Sequence, residues 1–308
     1  MYTYINLTQR INQILPSEQI ALLKQAASIA GEKNLQLYLV GGIVRDLLRG
    51  QPNDDLDLVV EGGAQEFARK FAARTGGKLT IHEMFNTAKV TFSDSTVDIA
   101  MARTETYAQP GALPVVAPGT IKTDLFRRDF TVNAMAVCVS PERYGELIDL
   151  YRGLQDLQNK LIRVLHEQSF VDDATRIWRA VRYEQRMDFQ IEADTLNWLR
   201  RDVSGLKTVG GYRLRRELEL VLKEDEPEKA LTRLDMLGVL KALHPALTTD
   251  EQLVAKFQGA RVDNRANADY YLGLLMAPLT ETDLLQLTKY LRFSAQQNRI
   301  IKEVRESI

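Results

Sequence analysis

Two acidic residues, Asp55 and Asp57, stand one position apart in the segment DLDLVV at 55–60. Alternation of acidic and apolar residues predicts a half-buried β-strand. Residues i and i+2 of a strand point to the same face, so the two carboxylates converge. Such carboxylates repel each other unless a cation lies between them or one takes up a proton. Mg²⁺ prefers oxygen ligands of this kind, completed by substrate phosphates. An exposed strand face is the structural alternative.

A glycine pair precedes the acidic strand. Gly41 and Gly42 stand between the short apolar run 36–40 and the helix-like segment 43–49. Glycine lets a backbone approach phosphate oxygens closely, and a helix N-terminus favours anions. Arg45, in the first turn, could contact the same phosphates. The pattern is neither GxGxxG nor a P-loop, so it indicates neither a dinucleotide site nor a Walker-type ATPase. Together, the glycine turn, Arg45 and the acid pair indicate a site that binds a nucleoside triphosphate beside a metal ion.

Composition limits the class of protein. The chain has 308 residues, 45% of them hydrophobic, and 40 basic against 41 acidic residues, which excludes global disorder and a uniformly basic surface. No apolar run approaches the roughly 18 residues that span a bilayer, and the N-terminus lacks the pattern of a secretion signal. Cys138 is the single cysteine, so an intramolecular disulfide is excluded and we expect a cytoplasmic location without membrane association. The isolated histidines show no zinc-ligand spacing.

The periodicity changes along the chain. Before residue 153, helix-like segments mix with strand-like runs, whereas the later sequence is almost wholly helical in pattern. The strands predicted between residues 76 and 140 are 78–81, 87–92, 96–101 and 131–139. The stretch 106–121 carries no charge and holds three of the nine prolines, which predicts a functional loop within the first domain. We therefore predict an α+β head at 1–152, a helical neck at 153–222 and a helical body at 223–308.

Five motifs in order over 36–220 carry a resemblance. GGIVRDLLRG followed by DLDL resembles the signature of class II tRNA nucleotidyltransferases and bacterial poly(A) polymerases. The other matches are RTETY (103–107), DLFRRDFTVNAMA (124–136), LIDLYRGLQDLQNKLIRVL (147–165) and FVDDATRIWRAVRYEQR (170–186). The resemblance implies a polymerase-β-like nucleotidyltransferase head, a mixed β-sheet with helices, followed by an all-α neck and body.

The resemblance also implies roles for individual residues. Asp55 and Asp57 would be catalytic and would bind two Mg²⁺ ions, and ATP and CTP would be the substrates. The residues implied in nucleotide binding are Gly41, Gly42, Arg45, Asp46, Arg127, Arg128, Asp129, Asn133, Asp173, Arg176, Arg179 and Arg182.

Asp173 and Arg176 are three positions apart, so on a helix they would share a face. An intrahelical ion pair is the structural alternative. In the resembling family this pair offers donors and acceptors to the Watson–Crick edge of the incoming base, accepting C and A but not G and U. Asp172 stands where the family usually has glutamate. The following arginines, Arg179 and Arg182, continue the spacing of three and predict a stripe that contacts phosphates.

Residues 197–216 form a basic tract with a single acid, Asp202. Such a tract is a candidate surface for the tRNA backbone, although solvated charge is the common alternative. Tyr212 stands where the resembling family usually has glutamate. The residues that we assign to tRNA binding are Arg200, Arg201, Lys207, Arg213, Arg215 and Arg216.

The function that we expect is Mg²⁺-dependent addition of C and A to the 3′ end of tRNA, with release of pyrophosphate. The segment 106–121 would move as specificity changes from C to A. One alternative is an enzyme that adds only CC or only A, since the motifs are common to these subtypes. Another is a poly(A) polymerase, although that branch carries a basic GRRF-type segment where this chain has FNTAKVTF. A third is a non-catalytic RNA-binding protein on the same scaffold, against which the intact acid pair argues.

Overall fold

The computed structural model describes residues 5–83, 86–93, 95–108, 111 and 114–307. The described chain divides into two compact units. The first comprises Met1–Thr106 with Pro114–Leu165, and the second comprises Tyr107–Leu113 with His166–Ile308. The predicted boundaries after residues 152 and 222 stay a prediction.

A seven-stranded mixed sheet forms the centre of the first unit. Its order is β3-β4-β5-β2-β1-β8-β9, in which β2 and β5 run parallel and the other neighbours run antiparallel. The strands of the unit are β1 Gln36–Val40, β2 Asp55–Glu61, β3 Lys78–His82, β4 Thr87–Thr91, β5 Thr96–Met101, β6 Arg103–Thr106, β7 Val115–Pro118, β8 Met135–Cys138, β9 Leu147–Asp149 and β10 Leu161–Ile162. The predicted strands at 78–81, 87–92 and 96–101 are thereby confirmed.

Helices pack on this sheet and bury its apolar side chains. The helices are α1 Thr8–Ile14, α2 Ser17–Lys33, α3 Gly42–Arg49, α4 Ala64–Thr75, α5 Ile121–Phe126 and α6 Gly153–Gln158. The helix predicted at 43–49 is confirmed, and it ends at Gly50, whose left-handed backbone (φ +72°) suits glycine. Cys138 is buried in the core with Tyr38 and Val59, as its apolar surroundings predict.

Two segments of the first unit differ from the sequence prediction. Part of the stretch 106–121 is ordered as a strand, because β7 pairs antiparallel with β6 and two neighbouring valines favour extended backbone. Positions 109, 110, 112 and 113 of that stretch lie outside the described residues. The strand predicted at 131–139 begins only at Met135, since Thr131–Asn133 form a 3₁₀ turn.

Where it is described, the second unit is helical with one short strand, β11 Gln190–Ile191. Its helices are α7 Ser169–Asp172, α8 Thr175–Met187, α9 Ala193–Asp202, α10 Gly211–Leu222, α11 Pro227–Met236, α12 Val239–Leu243, α13 Glu251–Val262, α14 Ala268–Met276, α15 Glu281–Leu291 and α16 Ala295–Glu306. Close packing of α14 on α16 depends on Gly273, where an added Cβ would lie 2.6 Å from the Val304 side chain. Within the described residues, no helix is long and apolar enough to cross a membrane. The predicted fold class, a mixed α+β head followed by helices, is confirmed.

Candidate active site

The predicted acid pair opens β2. Asp55 is exposed, Leu56 is buried and Asp57 is partly buried, which is the alternation expected when both carboxylates share one face. The parallel neighbour β5 adds a third acid, since Asp98 lies in register with Asp57. The sequence reasoning missed Asp98, although the alternating segment TVDIAM was a usable signal. Asp98 forms an ion pair with Lys89 at 2.9 Å.

The pKa of Asp57 is shifted well above its ordinary value. Burial raises the pKa of Asp57 to about 6; the charge of Arg128 opposes this rise, and the charges of Asp98 and Asp55 add to it. A bound cation would lower the cost of keeping this carboxylate ionised. In the described part of the chain, no three His, Cys, Asp or Glu residues are arranged to hold a metal ion. Two carboxylates fit Mg²⁺, because that ion usually completes its shell with water and phosphate oxygens.

The turn between β1 and α3 brings backbone close to Asp57. Gly41 adopts a left-handed backbone (φ +79°) that strains any other residue. An added Cβ there would lie 2.9 Å from Nη1 of Arg128 and 3.9 Å from Oδ2 of Asp57. Gly42 begins α3, whose first turn holds no acidic residue. The glycine turn therefore lies against one acid and one arginine of the predicted site.

Four predicted residues join in one buried network. Arg45 donates from Nη1 to Asn133 Oδ1 at 2.7 Å, and from Nε and Nη2 to the Asp46 carboxylate at 2.9 and 2.8 Å. Asn133 donates in turn to Asp129 Oδ1 at 3.1 Å. This network fixes α3 to the 3₁₀ turn at Thr131–Asn133, which explains why that segment is not extended. These three bonds direct the Arg45 guanidinium at protein groups, and its contact with phosphate stays a prediction.

The two arginines of the RRD motif are held by acids that the sequence reasoning missed. Asp124 is fully buried and accepts hydrogen bonds from Arg127 to Oδ1 and from Arg128 to Oδ2, at 2.7 and 3.0 Å. Glu105 accepts a further bond from Arg127 Nη1 at 3.0 Å. Burial alone would raise the pKa of Asp124, but the charges of Arg128 and Arg127 and their hydrogen bonds outweigh it and lower that pKa. Both acids lie in motifs that carry the family resemblance: Asp124 is the first residue of DLFRRDF, and Glu105 lies in RTETY.

A cavity of about 260 Å³ lies between these groups. Its lining includes Asp57 and Asp98 from the sheet, and Arg127 and Arg128 from the segment after α5. The cavity therefore has carboxylates that could hold a cation and guanidinium groups that bind phosphate. A cavity lined by both acidic and basic side chains suits a metal-bound triphosphate, because the acids can hold the metal and the arginines can bind the phosphates.

The second unit contains Asp173 and Arg176, but not on one helix. Asp173 has an extended backbone between α7 and α8, so the predicted helical spacing of this pair is wrong. The reason is local, since Asp173 Oδ1 accepts hydrogen bonds from the backbone N–H and hydroxyl of Thr175 and so forms a tight turn ahead of α8. Its Oδ2 accepts a 2.7 Å bond from Arg213. Arg176 is buried and donates to the Ser169 hydroxyl at 2.6 Å.

The arginine stripe on α8 surrounds one tyrosine. The guanidinium carbons of Arg179 and Arg182 lie 5.6 and 4.9 Å from the ring centroid of Tyr183. Arg182 is buried, its Nη1 lies 3.5 Å from Glu224, and its Nε has no hydrogen-bond partner among the described residues. The stripe is therefore partly buried, with cation–π contacts rather than open solvent around it.

The basic tract separates into two groups. Arg201 pairs with Glu167 and Asp202, and Arg213 pairs with Asp173, so these cations are neutralised within the unit. Arg215 donates to the Arg292 carbonyl oxygen. The remaining members are exposed and form no ion pair within the described ranges; they are Arg200, Lys207 and Arg216.

Comparisons with known families and structures agree with this architecture. A model described as "Poly A polymerase head domain" matches residues 37–163, and one described as "Probable RNA and SrmB-binding site of polymerase A" matches 188–251. The apo form II of a CCA-adding enzyme superposes on 100% of this chain and 75% of its own, with TM-score 0.88 and 35% identity. The chain belongs to the tRNA nucleotidyltransferase and poly(A) polymerase family. The resemblance seen in the sequence is thereby confirmed.

Other solved family members were captured with ligands. A CCA-adding enzyme with ATP matches at TM-score 0.85 and 34% identity, over 100% of this chain and 73% of that chain. The Thermotoga maritima CCA-adding enzyme in complex with tRNA matches at TM-score 0.84 and 34% identity, over 100% of this chain and 74% of that chain.

Curated relatives include enzymes of restricted specificity. The A-adding tRNA nucleotidyltransferase of Geobacter sulfurreducens is 46% identical over 77% of this chain and 27% of its own length. The A-adding enzyme of Halalkalibacterium halodurans is 42% identical over 77% of this chain and 57% of its own. The CC-adding enzyme of Deinococcus radiodurans is 37% identical over 73% of this chain and 60% of its own. The chain thus spans less than two thirds of the length of these relatives.

Proposed function

We propose that this chain is a nucleotidyltransferase that adds C and A from CTP and ATP to the 3′ end of tRNA and releases pyrophosphate. The observation that carries the proposal is the face of β2 on which Asp55 and Asp57 lie, with the Gly41 turn and Arg128 beside Asp57. Family membership supports the reaction class. The acid pair also argues against a non-catalytic scaffold, for which these carboxylates would have no use.

Asp55 and Asp57 would hold two Mg²⁺ ions. When bound, these ions activate the attacking hydroxyl of the tRNA and stabilise the leaving pyrophosphate. In this proposal the 3′-OH attacks the α-phosphate in line, so the bond to the β-phosphate oxygen breaks as the new ester bond forms. The protein's own task is to bind and orient the triphosphate. Asp124 keeps Arg127 and Arg128 in fixed positions, which avoids reorganisation of these donors during the reaction.

Base selection is proposed for Asp173 and Arg176 of the second unit. A carboxylate and a guanidinium can together offer acceptors and donors to cytosine and to adenine. Arg213 supports Asp173 through their 2.7 Å hydrogen bond, and Ser169 supports Arg176. Arg179 and Arg182 are proposed to contact nucleotide or tRNA phosphates.

Addition of A alone is a second candidate, and one observation favours it. The A-adding relatives are 46% and 42% identical to this chain, against 37% for the CC-adding relative. Addition of C and A and addition of A alone would use the same motifs to bind metal and triphosphate. The two candidate functions differ only in which nucleotide is accepted. A cytoplasmic location is proposed for either candidate, supported by the single buried cysteine.

A primer-extension experiment tests the proposal. Three tRNA transcripts, ending at the discriminator base, after C, or after CC, are each supplied with Mg²⁺ and with CTP, ATP or both. CCA addition extends all three with both nucleotides. An A-adding enzyme extends only the transcript that ends in CC, and only with ATP. Repeated addition of A to every primer would indicate a poly(A) polymerase instead. Absence of extension from all three transcripts would exclude the proposed enzyme activity.

A further inference from the structure

Two exposed tyrosines of the second unit lie on elements that touch. Tyr212 is in the first turn of α10, and Tyr290 is near the end of α15; their exposed fractions are 48% and 43%. Beside them, an added Cβ at Gly211 would lie 1.9 Å from the carbonyl oxygen of Tyr290, so this close approach requires glycine. The Tyr290 hydroxyl donates to the Val209 carbonyl at 3.0 Å. The positions of both tyrosines are therefore set by backbone contacts.

A guanidinium group covers part of the Tyr212 ring. The Arg215 guanidinium carbon lies 5.0 Å from the ring centroid, as expected for residues three apart on a helix. Arg215 is itself held, because Nη1 donates to the carbonyl of Arg292 and Nε lies 3.4 Å from Glu219. Aromatic rings and flat guanidinium groups are the surfaces on which RNA-binding proteins stack unpaired bases.

Basic residues flank both tyrosines along the chain. Four of them, each within five positions of Tyr212 or Tyr290, are exposed and form no ion pair among the residues that the structure describes: Lys207, Arg216, Lys289 and Arg292. Arg216 follows Tyr212 by one helical turn, and Lys289 precedes Tyr290. Glu219 accepts a hydrogen bond from Gln297 at 2.8 Å besides lying against Arg215. The face therefore has a positive excess available to phosphates.

We propose that this Tyr212–Tyr290 face, comprising both tyrosines, Arg215 and the four unpaired cations, binds an RNA strand. An unpaired base stacks on the Tyr212 ring, and the flanking phosphates contact the cations. The inference rests on the proposed function, in which tRNA is the substrate, and it identifies a tRNA contact that requires neither metal nor nucleoside triphosphate. An acidic peptide would meet the cations but would gain nothing from a stacked aromatic surface, so RNA fits the face better.

Binding of labelled tRNA tests the face apart from catalysis. Fluorescence anisotropy of a 5′-labelled tRNA transcript is measured in EDTA without nucleotide, at several salt concentrations. Tyr212→Ala should weaken binding about tenfold, since the unpaired base would lose the ring on which it stacks. Tyr212→Phe keeps the aromatic ring, so its affinity for tRNA should stay within about twofold of the wild-type affinity. Arg216→Gln should reduce the slope of log K against log salt by about 0.7–0.9, the value for one phosphate contact.

Tyr270 provides the matched control. The Arg265 guanidinium carbon lies 5.5 Å from its ring centroid, but Arg265 is neutralised by Asp263 at 2.5 Å. Tyr270→Ala should leave tRNA affinity unchanged. Equal affinities of Tyr212→Ala and Tyr270→Ala would overturn the proposal, as would a loss in Tyr212→Phe as large as in Tyr212→Ala. An equal loss of heparin binding in Tyr212→Ala would also overturn it, because heparin has no bases to stack.

Primer extension in the same preparations separates the two hypotheses. If the wild-type chain extends tRNA while Tyr212→Ala binds tRNA normally, the face is wrong and the proposed function stands. If the wild-type chain neither binds nor extends tRNA, both are wrong. Equal thermal unfolding midpoints of the Tyr212 and Tyr270 variants confirm that any difference in affinity comes from loss of the ring and not from loss of stability.

Discussion

The acid site of the first unit and the basic surface of the second unit handle charge in opposite ways. Around the acid site, the arginines are tied to buried acids: Asp124 holds Arg127 and Arg128 together. On the basic surface, cations such as Arg216 and Lys289 are exposed and unpaired within the described residues. The arginines of the acid site are paired within the protein, whereas the basic surface has unpaired cations that a negatively charged partner can contact.

This difference fits the two tasks proposed for the regions. A site that stabilises charge during a reaction works best when its donors are fixed before the substrate arrives. A surface that binds an RNA backbone works by releasing counterions from phosphates, so its cations must be accessible. The first kind of site should be sensitive to single substitutions, and the second should lose affinity in small, salt-dependent steps.

The largest effect is expected for Asp57→Ala. Loss of one of two carboxylates that hold Mg²⁺ should lower kcat for tRNA extension by about 10³-fold or more, because metal stabilisation contributes several kcal/mol. The control is Asp54→Ala, which removes an exposed acid just before β2 and should leave kcat unchanged. Retention of extension by the Asp57 variant would refute the metal assignment.

Asp124→Asn tests the closed network through stability. Removal of this buried charge takes a carboxylate partner from both arginines and leaves Arg127 with Glu105, so it should lower the free energy of unfolding by about 3 kcal/mol at pH 7. The native pKa of Asp124 is below its ordinary 3.8, so the carboxylate stabilises the fold above that pH and loses this effect as pH falls below it. The difference between wild type and variant in urea midpoint should therefore shrink below pH 3.8.

The control for Asp124 is a surface acid with the same number of basic partners. Glu32 accepts bonds from Arg74 and Lys70, but it is exposed to solvent. Glu32→Gln should shift the urea midpoint far less than Asp124→Asn, because solvent screens exposed ion pairs. Equal shifts would mean that burial of Asp124 is not the source of its effect.

Gly41→Ala tests the turn beside Arg128. Gly41 and Gly50 both have positive φ, +79° and +72°, but ψ is −136° at Gly41 and 25° at Gly50, so only Gly50 is in the left-handed helical region. An added Cβ meets Arg128 at Gly41 and nothing within 4 Å at Gly50. Gly50→Ala should cost roughly 1–2 kcal/mol of stability, and Gly41→Ala should cost more. Only Gly41→Ala should lower kcat/KM for extension, by about tenfold, because the Arg128 guanidinium must move. Equal kinetics of the two variants would contradict a role for the turn.

The smallest effect is expected for Arg213→Gln, in the second unit. Its ion pair with Asp173 is partly exposed, so stability should change by less than about 1 kcal/mol. Asp173 would lose one donor that orients it, and the ratio of kcat/KM for ATP to that for CTP should shift by about threefold. Arg299→Gln, which breaks the exposed pair with Glu303, is the control. An unchanged ratio in Arg213→Gln would argue against Asp173 in base selection.

Local features of the site were predictable from the sequence. The period of two in DLDLVV places Asp55 and Asp57 on one face, and glycines mark both the entry turn of α3 and its end at Gly50. The placement of Asp173 was not predictable, since its side chain accepts a bond from the Thr175 backbone ahead of α8 and the residue does not continue a helix. A local bond from backbone to side chain competes with helical geometry at a single residue, which periodicity does not reveal.

By itself, the sequence determined the order of elements, the acid pair and the motifs that reveal the family. These depend on backbone geometry within a few residues, so they are read directly from spacing. Only the tertiary structure decided that Asp98 lies beside Asp57, that Asp124 fixes both arginines of its motif, and that Gly211 lies against the Tyr290 backbone. Strand pairing and helix packing bring distant residues together through burial of apolar surface over whole elements, and that free energy is not encoded in any local pattern.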